Sequence, residues 1–169
     1  MAELHPTIHI PCFEVVLICT NAYLADVKDL VRRLKAAHEQ VVQLETGLKG
    51  IDYSKYIGDY VPPRVDSNDA IYEQVLRLTT YSSMFEAYKQ ELKPHAELIW
   101  SVTYGEILWR KYVENATWSR LSRDYATSRV TLWKQTNKAR EGVYRLMPEQ
   151  YRRYSIPNAT PNAEPNMET

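Results

Sequence analysis

Glycine and phenylalanine are scarce, five and two in 169 residues, and Val, Ile and Thr rarely alternate with polar residues. Strands need that alternation, and the turns between them draw on glycine, so the shortage argues against a sheet. Two cysteines, Cys12 and Cys19, make no disulfide framework and set a reducing cytoplasm as the expected compartment. No uncharged apolar run is long enough to span a bilayer, so no membrane partner is expected. Ile8 to Leu24 comes nearest, but it holds Pro11 and Glu14 and lacks the basic start of a secretory leader. The phosphate-loop, G-x-G-x-x-G and nucleophile-elbow motifs are missing, so no enzyme and no cofactor is expected. His5, His9, Cys12 and Cys19 are zinc-binding residue types, but their spacing fits no standard finger and no metal is expected. His38 and His95 read as structural.

What the chain has is helix-forming sequence and uneven charge. The formal net charge is zero, which at first argues against a polyanionic partner. The distribution reverses that argument. Residues 106–153 carry eleven Lys/Arg against five Asp/Glu, a net +6, and the remainder carries −6. Phosphates respond to the local field, so a basic C-terminal module on an acidic body is the informative feature.

The expected fold class is all-α. Residues 1–21 carry no clear assignment; Ile10 to Ile18 reads as a short strand or docking segment. Ala22 to Leu48 reads as a helix in which Leu30, Leu34, Ala37, Val41, Leu44 and Leu48 repeat at spacings of 4 and 3. That stripe either packs within its own domain or forms the seam of a short coiled-coil homodimer through residues 22–48. Gly47 and Gly50 close the helix. A Tyr- and Pro-containing loop, Ile51 to Asn68, follows. Ser67 or Asn68 is the expected cap of a second helix, with Ile71, Val75, Leu78, Phe85 and Leu92 on its apolar face. Pro94 is expected to end it or begin the next. Residues 22–94 thus read as a helical region that either packs internally or oligomerises, residues 95–154 as a DNA-binding module, and residues 155–169 as a Pro- and Asn-rich disordered tail.

Three helical pieces are expected in that module. Ala96 to Glu114 is the first. The second is Thr117 to Tyr125, with Thr117 as N-cap and Trp118, Leu121 and Tyr125 on one edge; small Ser122 lets the next helix cross closely. After the turn Ala126-Thr127, Ser128 caps a third helix, Arg129 to Leu146, with Leu132, Thr136, Ala139, Val143 and Leu146 facing inward. Its outer face offers Arg129, Thr131, Lys134, Gln135 and Lys138 as candidate base-contacting residues, because donors on the first turns of such a helix can reach base edges in the major groove. Arg110, Lys111, Arg120, Arg123 and Ser128 are the candidate backbone-contacting set. Trp100, Trp109 and Trp118 read as packing residues, and Trp133 as one that can lie beside phosphates.

The segments Ile107-Leu108-Trp109-Arg110-Lys111-Tyr112-Val113-Glu114, Thr117-Trp118-Ser119-Arg120-Leu121-Ser122, Ser128-Arg129-Val130-Thr131-Leu132 and Lys138-Ala139 together resemble the helix-turn-helix of sigma-70 region 4. Three positions depart from that pattern: Ala126 at the usual turn glycine, Thr127 at a small aliphatic residue and Arg120 where Glu is common. An alanine is uncomfortable in the left-handed region, so the turn is expected to be conformed differently. With the loop Gly50-Ile51-Asp52-Tyr53-Ser54, the chain is similar to phage regulators of the ArpU/RinA type. That resemblance implies a transcription regulator that activates late, packaging or lysis genes, with double-stranded DNA and bacterial RNA polymerase as partners in the host cytoplasm. The alternative is a DNA-packaging oligomer like a small terminase subunit, although in that class the DNA-binding part usually comes first. A full sigma factor is not expected, because Asn68 to Leu92 holds only Arg77 and Lys89 as basic residues.

Overall fold

The computed structural model describes residues 12–52 and 66–152. Most of the predicted aromatic loop and the predicted tail from residue 155 lie outside the described residues, as do His5, His9 and Ile10. Among the described residues there are six helices and no strand: α1 (Phe13–Gly47), α2 (Asp66–Ser101), α3 (Gly105–Tyr112), α4 (Trp118–Asp124), α5 (Arg129–Leu146) and α6 (Glu149–Arg152). The all-α expectation holds. No helix among these residues is long and apolar enough to cross a membrane.

α1 starts at Phe13, nine residues before the predicted Ala22, so the strand expected up to Ile18 is helix. The reason is a stripe at helical spacing, Val16, Cys19, Thr20, Tyr23, Leu24 and Val27, every member of it buried. Thr20 is tolerated there because its hydroxyl donates to the Val16 carbonyl at 2.7 Å. This half of α1 shares one core with Ile99, Leu108, Val113, Ala139, Val143, Tyr144 and Met147. The C-terminal helices therefore fold around the N-terminal helix.

α1 pairs with α2 along much of its length as an antiparallel hairpin. Leu48 packs on Val75 and Leu78, the His38 and Phe85 rings lie 5.2 Å apart, and Tyr23 Oη is hydrogen-bonded to His95 Nδ1 at 2.9 Å. Leu30, Ala37 and Leu48 of the predicted stripe are buried, and Val41 and Leu44 pack against the α2 cluster. The heptad-like face is thus covered within the chain.

Two breaks fall elsewhere than predicted. α2 opens at Asp66, so Ser67 and Asn68 lie inside it, and it continues through Pro94 to Ser101. Pro94 removes one intrahelical donor, but it sits on an exposed surface where water can serve the freed carbonyl. The predicted continuous helix Ala96 to Glu114 is instead broken between Ser101 and Gly105. Tyr104 takes a left-handed conformation, φ 64°, and a Cβ on Gly105 would lie 1.8 Å from the Ile99 carbonyl oxygen. Only glycine allows α3 to start that close to the end of α2.

Candidate nucleic-acid interface

α3, α4 and α5 enclose a small core of their own: Ile107, Ala116, Leu121 and Leu132, flanked by Trp118 and Tyr125. Thr117 Oγ1 accepts from the Arg120 amide at 3.2 Å, and Ser128 Oγ accepts from the Thr131 amide at 3.1 Å. Both predicted caps are therefore formed, and each satisfies a donor that helix geometry leaves unpaired. Neither α4 nor α5 has an acidic residue in its first turn.

The turn between them is a Schellman motif. The Thr127 amide bonds to the Ser122 carbonyl at 3.1 Å and the Ala126 amide to the Arg123 carbonyl at 3.3 Å, the 6→1 and 5→2 pattern of that motif. Ala126 occupies the left-handed position with φ 48°. The expectation that alanine would force another turn is corrected: the turn keeps its geometry and carries the strain. Ser122 helps hold it, its hydroxyl donating to the Thr127 carbonyl at 2.5 Å. Its contribution is a hydrogen bond as well as the small size expected of it.

α5 has the predicted bounds, Arg129 to Leu146, and buries Leu132, Thr136, Ala139 and Val143 as predicted. Leu146 is a correction. It is exposed, and Met147, four residues after Val143, fills the core in its place. The predicted stripe followed an average period of 3.5, whereas a straight helix turns every 3.6 residues and drifts off it. Arg140, unassigned in the sequence, is 1% exposed. Its Nη1 donates to Thr20 Oγ1 and Asn21 Oδ1, each at 2.8 Å, and its guanidinium lies 4.2 Å from the centre of the Tyr112 ring. This buried cation ties α5 to α1 and α3.

The candidate base-contacting residues fall on two edges of α5. On the α4 side, Arg129 is exposed and donates to Ser119 Oγ at 2.7 Å. On the α3 side, Lys138 is exposed with Nζ 5.9 Å from the Tyr104 ring centre. Gln135 is half-buried there, with Oε1 enclosed and unpaired, in a cavity of about 490 Å³ that also touches Trp100, Tyr104 and Tyr125. Lys134 stands exposed between the two edges. Thr131 is exposed, but its hydroxyl lies 2.9 Å from Ser128 Oγ and joins the cap.

The candidate backbone set also divides. Arg120 and Arg123 are exposed on α4, Arg120 lying 3.8 Å from Asp124. Arg110 is committed internally: it pairs with Asp124 at 2.5 Å and lies over the Tyr125 ring at 5.4 Å, bracing α3 against α4. Lys111 donates to the Ala116 carbonyl at 3.2 Å and covers the Trp118 ring at 4.8 Å, holding the link between the same helices. Ser128 is the α5 cap.

Sequence reasoning singled out Trp133 on this surface but missed the apolar feature that it forms with Val130. Val130 is 63% and Trp133 51% exposed. With Trp118 and Arg129 they line a shallow groove of about 300 Å³. Their spacing, three residues apart and just outside the buried stripe, was the available signal. Among the described residues no group of three or more His, Cys, Asp or Glu is arranged to hold a metal. Compared with known proteins, the chain matches no family model, no curated protein and no solved structure.

Proposed function

We propose that this chain binds duplex DNA through α4 and α5 and acts as a transcription regulator, α5 lying in the major groove. One observation carries the reading. A short helix, a Schellman turn and a capped second helix present Arg120, Arg123, Arg129 and Lys134 on an exposed surface whose helix starts hold no acid. Acids there would complement the helix dipole and stabilise both helices; leaving them out keeps the positive ends available to phosphate. Lys134 and Arg129 are assigned to base edges, with Thr131 and Lys138 beside them, and Arg120 and Arg123 to the backbone. Arg110 and Lys111 are scaffold residues in this reading. Activation of phage late genes is the regulatory role that the sequence resemblance adds.

A single module of this size covers little DNA, so useful affinity calls for a second copy or for contact with RNA polymerase. The acidic hairpin supplies the surface for either, through the outward faces of α1 and α2, since α2 already covers the leucine stripe. The test is selection from a library of randomised duplexes by the full chain. Enrichment of one sequence family supports the reading. Recovery of unenriched DNA, or of none at low salt, overturns it.

A further inference from the structure

The groove of Trp118, Val130 and Trp133 is an unusual surface for a helix that meets a polyanion. Two of its three apolar side chains are more than half exposed, and they occupy the first two turns of α5, the part that enters deepest into a major groove. Its fourth wall is Arg129, with Lys134 next along the helix and no acidic residue lining it. An apolar floor inside a cationic rim complements a surface that is apolar at its centre and anionic at its edges. The major groove offers one such apolar group, the C5-methyl of thymine, set between phosphate walls.

We propose that Trp118, Val130 and Trp133 form a reader of thymine methyl groups, giving the site a preference for one or two thymines opposite the start of α5. The inference rests on the DNA-binding reading and specifies what part of the sequence that reading would recognise. Val130 and Trp133 make the contact. Trp118, half-buried and held under Lys111, is the fixed back wall. Arg129, hydrogen-bonded to Ser119, sets the rim.

The experiment uses the full chain and the duplex enriched by selection. Each thymine is replaced in turn by deoxyuridine, which keeps every hydrogen-bonding group and deletes only the methyl. Binding is measured by fluorescence anisotropy for wild type, Val130→Ala and Trp133→Ala. Removing one sensed methyl is expected to weaken wild-type binding about fourfold, the transfer value of one buried carbon. The same replacement is expected to leave Trp133→Ala, already weakened, unchanged. Both side chains are exposed, so thermal melts of the two variants should match wild type. If wild type binds every deoxyuridine duplex as tightly as its parent, the methyl reader is refuted while DNA recognition stands. Equal methyl losses in wild type and both variants would refute it too, by placing the sensor elsewhere. A groove that serves a protein would give no methyl effect but loss of RNA polymerase capture by Trp133→Ala. If no duplex is enriched at all, the DNA-binding reading falls first and this inference with it.

Discussion

Replacing Arg140 with methionine removes a cation that the fold has taken almost completely out of water. Burying an ion costs several kcal/mol before its contacts offset anything. Here the compensation comes from neutral groups: two hydrogen bonds at 2.8 Å to Thr20 and Asn21 and the Tyr112 ring at 4.2 Å. Hydrogen bonds to a charged group contribute about 1.5–3 kcal/mol each, and a desolvated cation–π contact about 2 kcal/mol. Those gains and the desolvation cost are of similar size. Methionine keeps the apolar volume and can place its sulfur against the same ring. Arg140→Met is therefore expected to lie within about 1 kcal/mol of wild type. Thr20→Val is different. It preserves shape but deletes an acceptor while the guanidinium stays buried, and it should cost about 2 kcal/mol. In the Arg140→Met background the same change should cost about 0.5 kcal/mol, because no charge is left wanting an acceptor. Urea titrations of the four proteins give the cycle, provided the m-value does not change. A loss of more than about 3 kcal/mol for Arg140→Met, with Thr20→Val additive to it, would show the buried ion to be a net stabiliser instead.

Two further changes probe the turn and the hairpin. Ala126→Gly relieves a left-handed alanine worth about 1–2 kcal/mol and gives back part of that through glycine's greater freedom when unfolded. A net gain of about 0.5–1 kcal/mol should raise the melting temperature by about 1–4 °C in a chain of this size; a lower melting temperature would contradict the Schellman assignment. Burial, with the Tyr151 phenol beside it, pushes Tyr23 up to about 12 from its ordinary value near 10. The folded chain then keeps a proton that the unfolded chain gives up, so this stabilisation is complete below about pH 10 and is lost as pH rises through about 12. Melting temperatures followed across that range should fall more steeply for wild type than for Tyr23→Phe, and parallel curves would exclude Tyr23 as the cause.

What was legible in the sequence was local. Thr117 and Ser128 mark their helices because a hydroxyl cap needs only the amide three residues on, and the bounds of α5 follow from it. The apolar stripes of α1 and α5 were legible for the same reason, over the stretches where one side faces solvent. The start of α1 was hidden because Val15, Leu17 and Ile18 surround the buried stripe with apolar residues on other faces, which blurs the helical period. The break before α3 was hidden because it is tertiary: Gly105 is needed only because the Ile99 carbonyl comes to rest against it. Pro94, the stronger local breaker, lies on a surface that tolerates it. Of the candidate site, exposure of Arg120, Arg123, Arg129 and Lys134 followed from the helix faces. The internal engagement of Arg110 and Lys111 did not, because their partners Asp124, Tyr125, Ala116 and Trp118 reach them only when α3 and α4 cross. Arg140 had no assignment in the sequence for a similar reason; Thr20, which receives it, is 120 residues away.

The proposed binding of duplex DNA by α4 and α5 uses their exposed cations, Arg120, Arg123, Arg129 and Lys134. It is tested most directly by salt-titrated fluorescence anisotropy on the selected duplex, comparing wild type with Arg129→Ala/Lys134→Ala. Log Kd for wild type is expected to rise linearly with log salt, about 0.9 for each phosphate neutralised. For the double variant the preference for the selected sequence should be lost while the slope changes little, because both residues are assigned to base edges. Equal preference for the selected sequence in the two proteins, or no binding by wild type at low salt, would contradict it.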